Sequence, residues 1–244
     1  MRARFKREAL LSKRIRHAGV LEAIDYHFGS EVLNGECFIV FPFVWGLTLK
    51  DFLELLKARN RELTIEQALT IMWDILDILI TLEEAKILHR DLKPDNFMLA
   101  PNHPNNVVLL DFGFSTDPND PAQLTGRHTI VGNMDYAAPE LRWGGSARAD
   151  IRSEIFALGV SFIKIFHPRL SRFEKDGEYI SFAENPIATP LTDDLIAKEN
   201  RPGVPEELVP LINRMIDHQP NNRFKHFWQI QRACEYLLFD LCCR

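Results

Sequence analysis

The sequence of 244 residues predicts an α+β fold, and three features carry the prediction. Strand-like segments at 20–28 and 36–44 flank Asn34-Gly35, a pair that favours tight hairpin turns. A long amphipathic run starts at Thr64, and residues 153–166 are apolar on nearly every side, as a buried helix requires. With 46% hydrophobic and 26% charged residues, the chain has a globular composition and length enough for one large domain or two small lobes.

The first element is basic. Arg2, Arg4, Lys6, Arg7, Lys13, Arg14 and Arg16 are opposed only by Glu8, while Phe5, Leu10, Leu11 and Ile15 interleave at helical spacing. This pattern favours a helix over 5–17 with a solvated cationic face; a basic arm for RNA or anionic lipid is the competing reading. The net charge of −5 gives no electrostatic case for nucleic-acid binding by the whole chain.

At Thr64 a Thr-x-x-Gln capping pattern opens a helix. Its buried face comprises Ile65, Ala68, Leu69, Met72, Ile75, Leu76, Leu79 and Leu82. Two short strands, 97–99 and 107–110, are joined by the turn-rich stretch 101–106. Residues 114–137 read as a polar loop, and the Pro, Asp and Glu content of 167–205 predicts exposed loops.

Cys37, Cys234, Cys242 and Cys243 show neither metal-ligand spacing nor a disulfide framework, which fits a reducing compartment. The sequence has no signal peptide and no apolar run of membrane-spanning length, so a soluble intracellular protein, cytoplasmic and without a membrane span, is expected.

The chemistry concentrates in two motifs. Residues 89–96 read His-Arg-Asp-Leu-Lys-Pro-Asp-Asn, and Asp-Phe-Gly follows at 111–113. Together they place a proton acceptor, a cation and two metal-binding side chains on neighbouring segments, which is what phosphoryl transfer needs. In that reading Asp91 accepts a hydroxyl proton, Lys93 steadies the moving phosphoryl group, and Asn96 and Asp111 hold Mg²⁺. A surface turn and a strand-end glycine would explain each motif alone, but not both in this order.

On these motifs the chain resembles the eukaryotic-type protein kinase family. The serine/threonine type is implied by Lys93, two residues after Asp91. The resemblance implies a two-lobed fold: residues 1–44 as a remnant small lobe and hinge approach, and 45–244 as a mostly helical large lobe. It implies ATP and Mg²⁺, with Glu8 as the regulatory glutamate and Phe41 guarding the back pocket. Val44 becomes the hinge donor, and Met98 lies under the adenine. Ala138-Pro139-Glu140 matches the end of an activation segment, with Thr129 as its phosphorylation site and Arg90 as the phosphate's partner. Pro220-Asn221-Asn222-Arg223 matches the motif whose arginine pairs with Glu140.

Some positions depart from the family. Glu154 stands for the usual Asp that steadies the catalytic loop, and Asn133 for the usual Thr, with an amide that can still donate a hydrogen bond. Ser12 stands for a bulky apolar residue on the regulatory helix. No Gly-rich loop and no lysine-bearing strand precede Glu8, so the small lobe reads as truncated and Glu8 lacks that lysine. The expected function is transfer of the ATP γ-phosphoryl group to serine and threonine hydroxyls of a protein substrate, by a truncated form of a longer kinase. A catalytically impaired pseudokinase scaffold is the alternative. A small-molecule phosphotransferase of the aminoglycoside or choline type ranks third, because that type generally lacks Glu140- and Arg223-like anchors.

Overall fold

Residues with strong local signals settle the elements. The computed structural model describes residues 2–29, 36–116, 133–142, 149–166, 173–175, 178–180 and 206–243. Helix α1 (Arg2–Arg14) ends on Lys13 and Arg14, cations that suit the negative end of the helix dipole. It buries Ala9, Leu11 and Ser12 and leaves Leu10 on the surface. The Ser12 hydroxyl accepts from Ala23 N–H at 3.3 Å, so a polar residue ties α1 to the chain that follows.

Strands β1 (Asp25–Phe28) and β2 (Cys37–Val40) pair antiparallel, from Asp25 opposite Val40 to Phe28 opposite Cys37. Both are shorter than the segments 20–28 and 36–44. Pro42 offers no N–H to a ladder, and Val20 makes a parallel bridge with Leu109 instead of extending β1. Asn34 and Gly35 lie outside the described residues.

A second sheet runs β3 (Leu47–Thr48), β4 (Phe97–Leu99), β5 (Val107–Leu109), all antiparallel. Its Phe97–Leu109 register sets residue 96 and residue 110 side by side, with Leu110 N–H donating to the Asn96 carbonyl at 2.8 Å. Thr48 caps α2 (Leu49–Ala58) through its hydroxyl, which accepts from Asp51 N–H. The long helix α3 (Ile65–Glu84) carries the full capping box at Thr64 and Gln67.

Helices α4 (Pro139–Arg142), α5 (Ile151–Phe166), α6 (Val209–Met215) and α7 (Phe227–Cys243) complete the helical part. One apolar cluster joins α3, α5, α6 and α7 to β5. The expectation of exposed loops across 167–205 is overturned at two places, where β6 (Phe173–Lys175) pairs with β7 (Glu178–Ile180). Tyr179 and Ile180 favour extended backbone, and the Pro-rich composition of the wider segment masked that signal. Among the described residues no helix is long and apolar enough to cross a membrane.

Gly159 lets α5 and the end of α6 touch. A Cβ there would sit 2.7 Å from Ile216 Cγ2 and 2.9 Å from Met215 Cβ. Gly159→Val is therefore expected to cost about 1–3 kcal/mol by overpacking. Denaturant unfolding checks this, and an unchanged midpoint would contradict the close approach.

Candidate active site

The segment between α3 and β4 is held from below by α5. Glu154, in the first turn of α5, accepts from His89 N–H at 2.8 Å and from Arg90 N–H at 2.9 Å. Arg90 sits at φ 66°, a left-handed conformation that a bulky residue adopts only when its surroundings demand it. The His89 ring is fully buried, with Nε2 3.0 Å from the Leu110 carbonyl and an edge contact to the Phe112 ring. A carbonyl only accepts, so Nε2 carries the proton, and burial holds the imidazole neutral by lowering its pKa. Thr116 completes the frame: its N–H donates to Leu88 O at 2.8 Å, and its hydroxyl accepts from Leu88 N–H at 2.9 Å.

Asp91 is the hub. Its Oδ2 accepts from Lys93 Nζ at 2.7 Å and Asn96 Nδ2 at 3.0 Å, and its Oδ1 accepts from Asn133 N–H at 3.1 Å. The Asn96 amide nitrogen also donates to Asp91 O at 2.6 Å, which turns Oδ1 of Asn96 into the atom left for a cation. Asp111, at φ 60°, accepts from Gly113 N–H at 3.0 Å through Oδ1 and retains Oδ2. An amide oxygen and a carboxylate oxygen, on segments joined by the Asn96–Leu110 bond, are the hard donors that Mg²⁺ takes. Asn133 meets Asp91 through its backbone. Its side chain closes a local turn, its Oδ1 accepting from Asp135 N–H at 2.9 Å.

Around this core the other candidates take defined places. Phe41 and Val44 are half-buried just before Gly46, where a Cβ would run into the Leu99 carbonyl oxygen. Met98 pairs with Thr48 across β3 and β4, beside the same glycine. The structure thus brings Gly46 against Met98. Glu8 is half-buried on α1, and its neighbour Arg7 donates from Nη1 to Gly113 O at 3.4 Å, bringing α1 to the Asp-Phe-Gly turn. Thr129 lies outside the described residues. The Nε of Arg90 is buried and has no hydrogen-bond partner among the described residues. His89, Thr116 and Arg7 carried no role in the reading of the sequence. Of these only His89 stood inside a motif.

A model of the protein kinase domain matches residues 1–237. The chain belongs to the protein kinase family. The serine/threonine-protein kinase PrkC of Bacillus subtilis (strain 168) is 27% identical over 222 residues, 91% of this chain and 32% of that protein. The serine/threonine-protein kinase pkn3 of Myxococcus xanthus is 33% identical over 180 residues, covering 71% and 31% respectively. PknB of Mycobacterium leprae (strain TN), also a serine/threonine-protein kinase, is 24% identical over 226 residues, covering 91% and 34%. The chain spans about a third of the length of these relatives. The family's α+β architecture is the fold described above, and its members use ATP and Mg²⁺ generally.

A buried ion pair ties α4 to the turn before α7. Arg223, with its side chain 0% exposed, meets Glu140 by two parallel bonds of 2.8 and 2.9 Å. Its remaining donors reach the carbonyls of Asp217, Arg152 and His218, and the guanidinium lies over the Phe156 ring. Removing one partner of a buried pair strands the other, so Arg223→Ala should lose about 3–5 kcal/mol of stability. Arg223→Lys should recover only part, because an ammonium lacks the planar fork. Thermal unfolding checks both, and a loss below about 1 kcal/mol for the Ala variant would contradict the buried pair.

Proposed function

We propose that this chain is an ATP-dependent serine/threonine protein kinase that transfers the γ-phosphoryl group to hydroxyls of protein substrates. The observation that carries the reading is the Asp91 hub: a carboxylate 5% exposed, oriented by Lys93, Asn96 and the Asn133 N–H, beside Asp111. The names of the relatives supply the serine/threonine class. MgATP would supply the phosphoryl group; Asn96 Oδ1 and Asp111 would hold its cation, whose charge would offset that of the phosphates. Asp91 receives the hydroxyl proton and aims the oxygen. Lys93, bonded to Asp91 at 2.7 Å, places a positive charge where the phosphoryl group crosses. Phe41, Val44 and Met98 form the adenine side, with Glu8 on α1 above the Asp-Phe-Gly turn. Residues 1–44 serve as the nucleotide-side lobe and 45–244 as the helical lobe. Arg90 is the donor that would pair with a phosphate on Thr129.

Transfer from γ-labelled ATP with Mg²⁺ to a generic basic protein tests the reading, with the Asp91→Asn form beside it. The amide keeps the shape and loses the basicity, so kcat should fall about 10²–10⁴-fold while circular dichroism is unchanged. Equal rates would remove Asp91 from its role, and no transfer by the parent chain would favour a scaffold.

A further inference from the structure

Glu154 carries one methylene more than the aspartate its place in the family calls for, and its surroundings pull its proton in opposite directions. The residue is 5% exposed and is followed on its helix by buried Ile155, Phe156, Ala157 and Leu158. Burial disfavours the charge. The N–H groups of His89 and Arg90, at 2.8 and 2.9 Å, each claim one oxygen and favour it. From the catalytic loop two ionisable side chains act on this carboxyl: the Arg90 guanidinium, which attracts it, and Asp91, which repels it. Arg7 of α1 bears on Arg90 with like charge. On the same helix Arg152 is engaged with Asp150, and Ser153 donates to Glu140. The balance leaves Glu154 pushed up to about 7, with burial the largest cause, the two N–H bonds and Arg90 acting against it, and Asp91 adding to it.

We propose that Glu154 is a positioning residue whose ionisation decides whether the catalytic loop is clamped for phosphoryl transfer. As a carboxylate it offers an acceptor to both N–H groups. When it takes a proton from solvent, one oxygen becomes a hydroxyl facing an N–H donor. One of the two bonds is lost or weakened, and the loop shifts to give that hydrogen room. Arg90 then loses a restraint on its left-handed backbone, φ 66°, and relaxation there turns the adjoining Asp91 away from Lys93, Asn96 and Asn133.

Stability moves the other way. A folded pKa raised from 4.5 to about 7 stabilises the native state fully below the ordinary glutamate value, and this contribution is lost as pH rises through about 7. The working form of the loop is thus the less stable form of the protein.

The rate part of this inference rests on the kinase reading; the structural part does not. The test follows amide hydrogen exchange of residues 86–93, corrected for its intrinsic pH dependence, from pH 5.5 to 8.5. Parent chain, Glu154→Gln and Glu154→Asp are compared, and kcat is followed at saturating ATP and Mg²⁺. Protection of the loop in the parent chain should rise with a midpoint near 7, with kcat falling about tenfold per pH unit well below it. Glu154→Gln should be flat and low in both, and Glu154→Asp should restore a titrating loop. A parent loop whose protection does not change across this range overturns the inference, as does an identical acidic limb in the parent and Gln forms. If the parent chain transfers no phosphate, the kinase reading fails, and the exchange titration alone still decides the role of Glu154. Should the Gln form not fold, the parent's exchange profile decides in the same way.

Discussion

The first turn of α5 is where a helix buried along most of its length meets polar chain, and three consecutive residues there hold three separate segments. The carbonyl of Arg152 takes Arg223, the hydroxyl of Ser153 donates to Glu140, and the carboxylate of Glu154 holds His89 and Arg90. Buried polar groups must find partners inside the protein, because each one left without a partner costs on the order of 1–3 kcal/mol. The same requirement therefore fixes residues 89–90, helix α4 and the turn before α7 relative to one another.

Above that anchor the site stores strain and charge where the chemistry is placed. Arg90 and Asp111 both adopt positive φ, and both are flanked by bonds that hold them there. His89 contributes by staying neutral. A charged ring beneath the Asp-Phe-Gly turn would compete with a cation for the same field, whereas a neutral one simply spaces the two segments.

Much of this was legible in the sequence because the signals are local. The motifs at 89–96 and 111–113, the Thr64 capping box and the apolar run of α5 are each one continuous stretch of chain. What escaped depends on contacts between distant segments or on backbone atoms. The Asn133 N–H reaches Asp91 from 42 residues away, and Arg7 reaches Gly113 from 106. A side-chain alphabet does not encode a main-chain donor, so Asn133 was read through its side-chain amide, while the bond to Asp91 comes from its N–H. The strands 20–28 and 36–44 were read too long, because apolar residues such as Val20 serve a parallel bridge as readily as a hairpin.

That bridge has a kinetic meaning. Leu109 N–H donates to the Gly19 carbonyl at 2.8 Å, while β5 pairs on its other side with nearby β4. One edge closes a short hairpin; the other closes a loop of about 90 residues, at an entropic cost on the order of 4 kcal/mol. Folding should therefore assemble β4 and β5 early and dock residues 17–20 late. His17, bonded to Asp77 on α3 at 2.9 Å and to the Gly19 N–H at the same distance, is the latch that completes the late step.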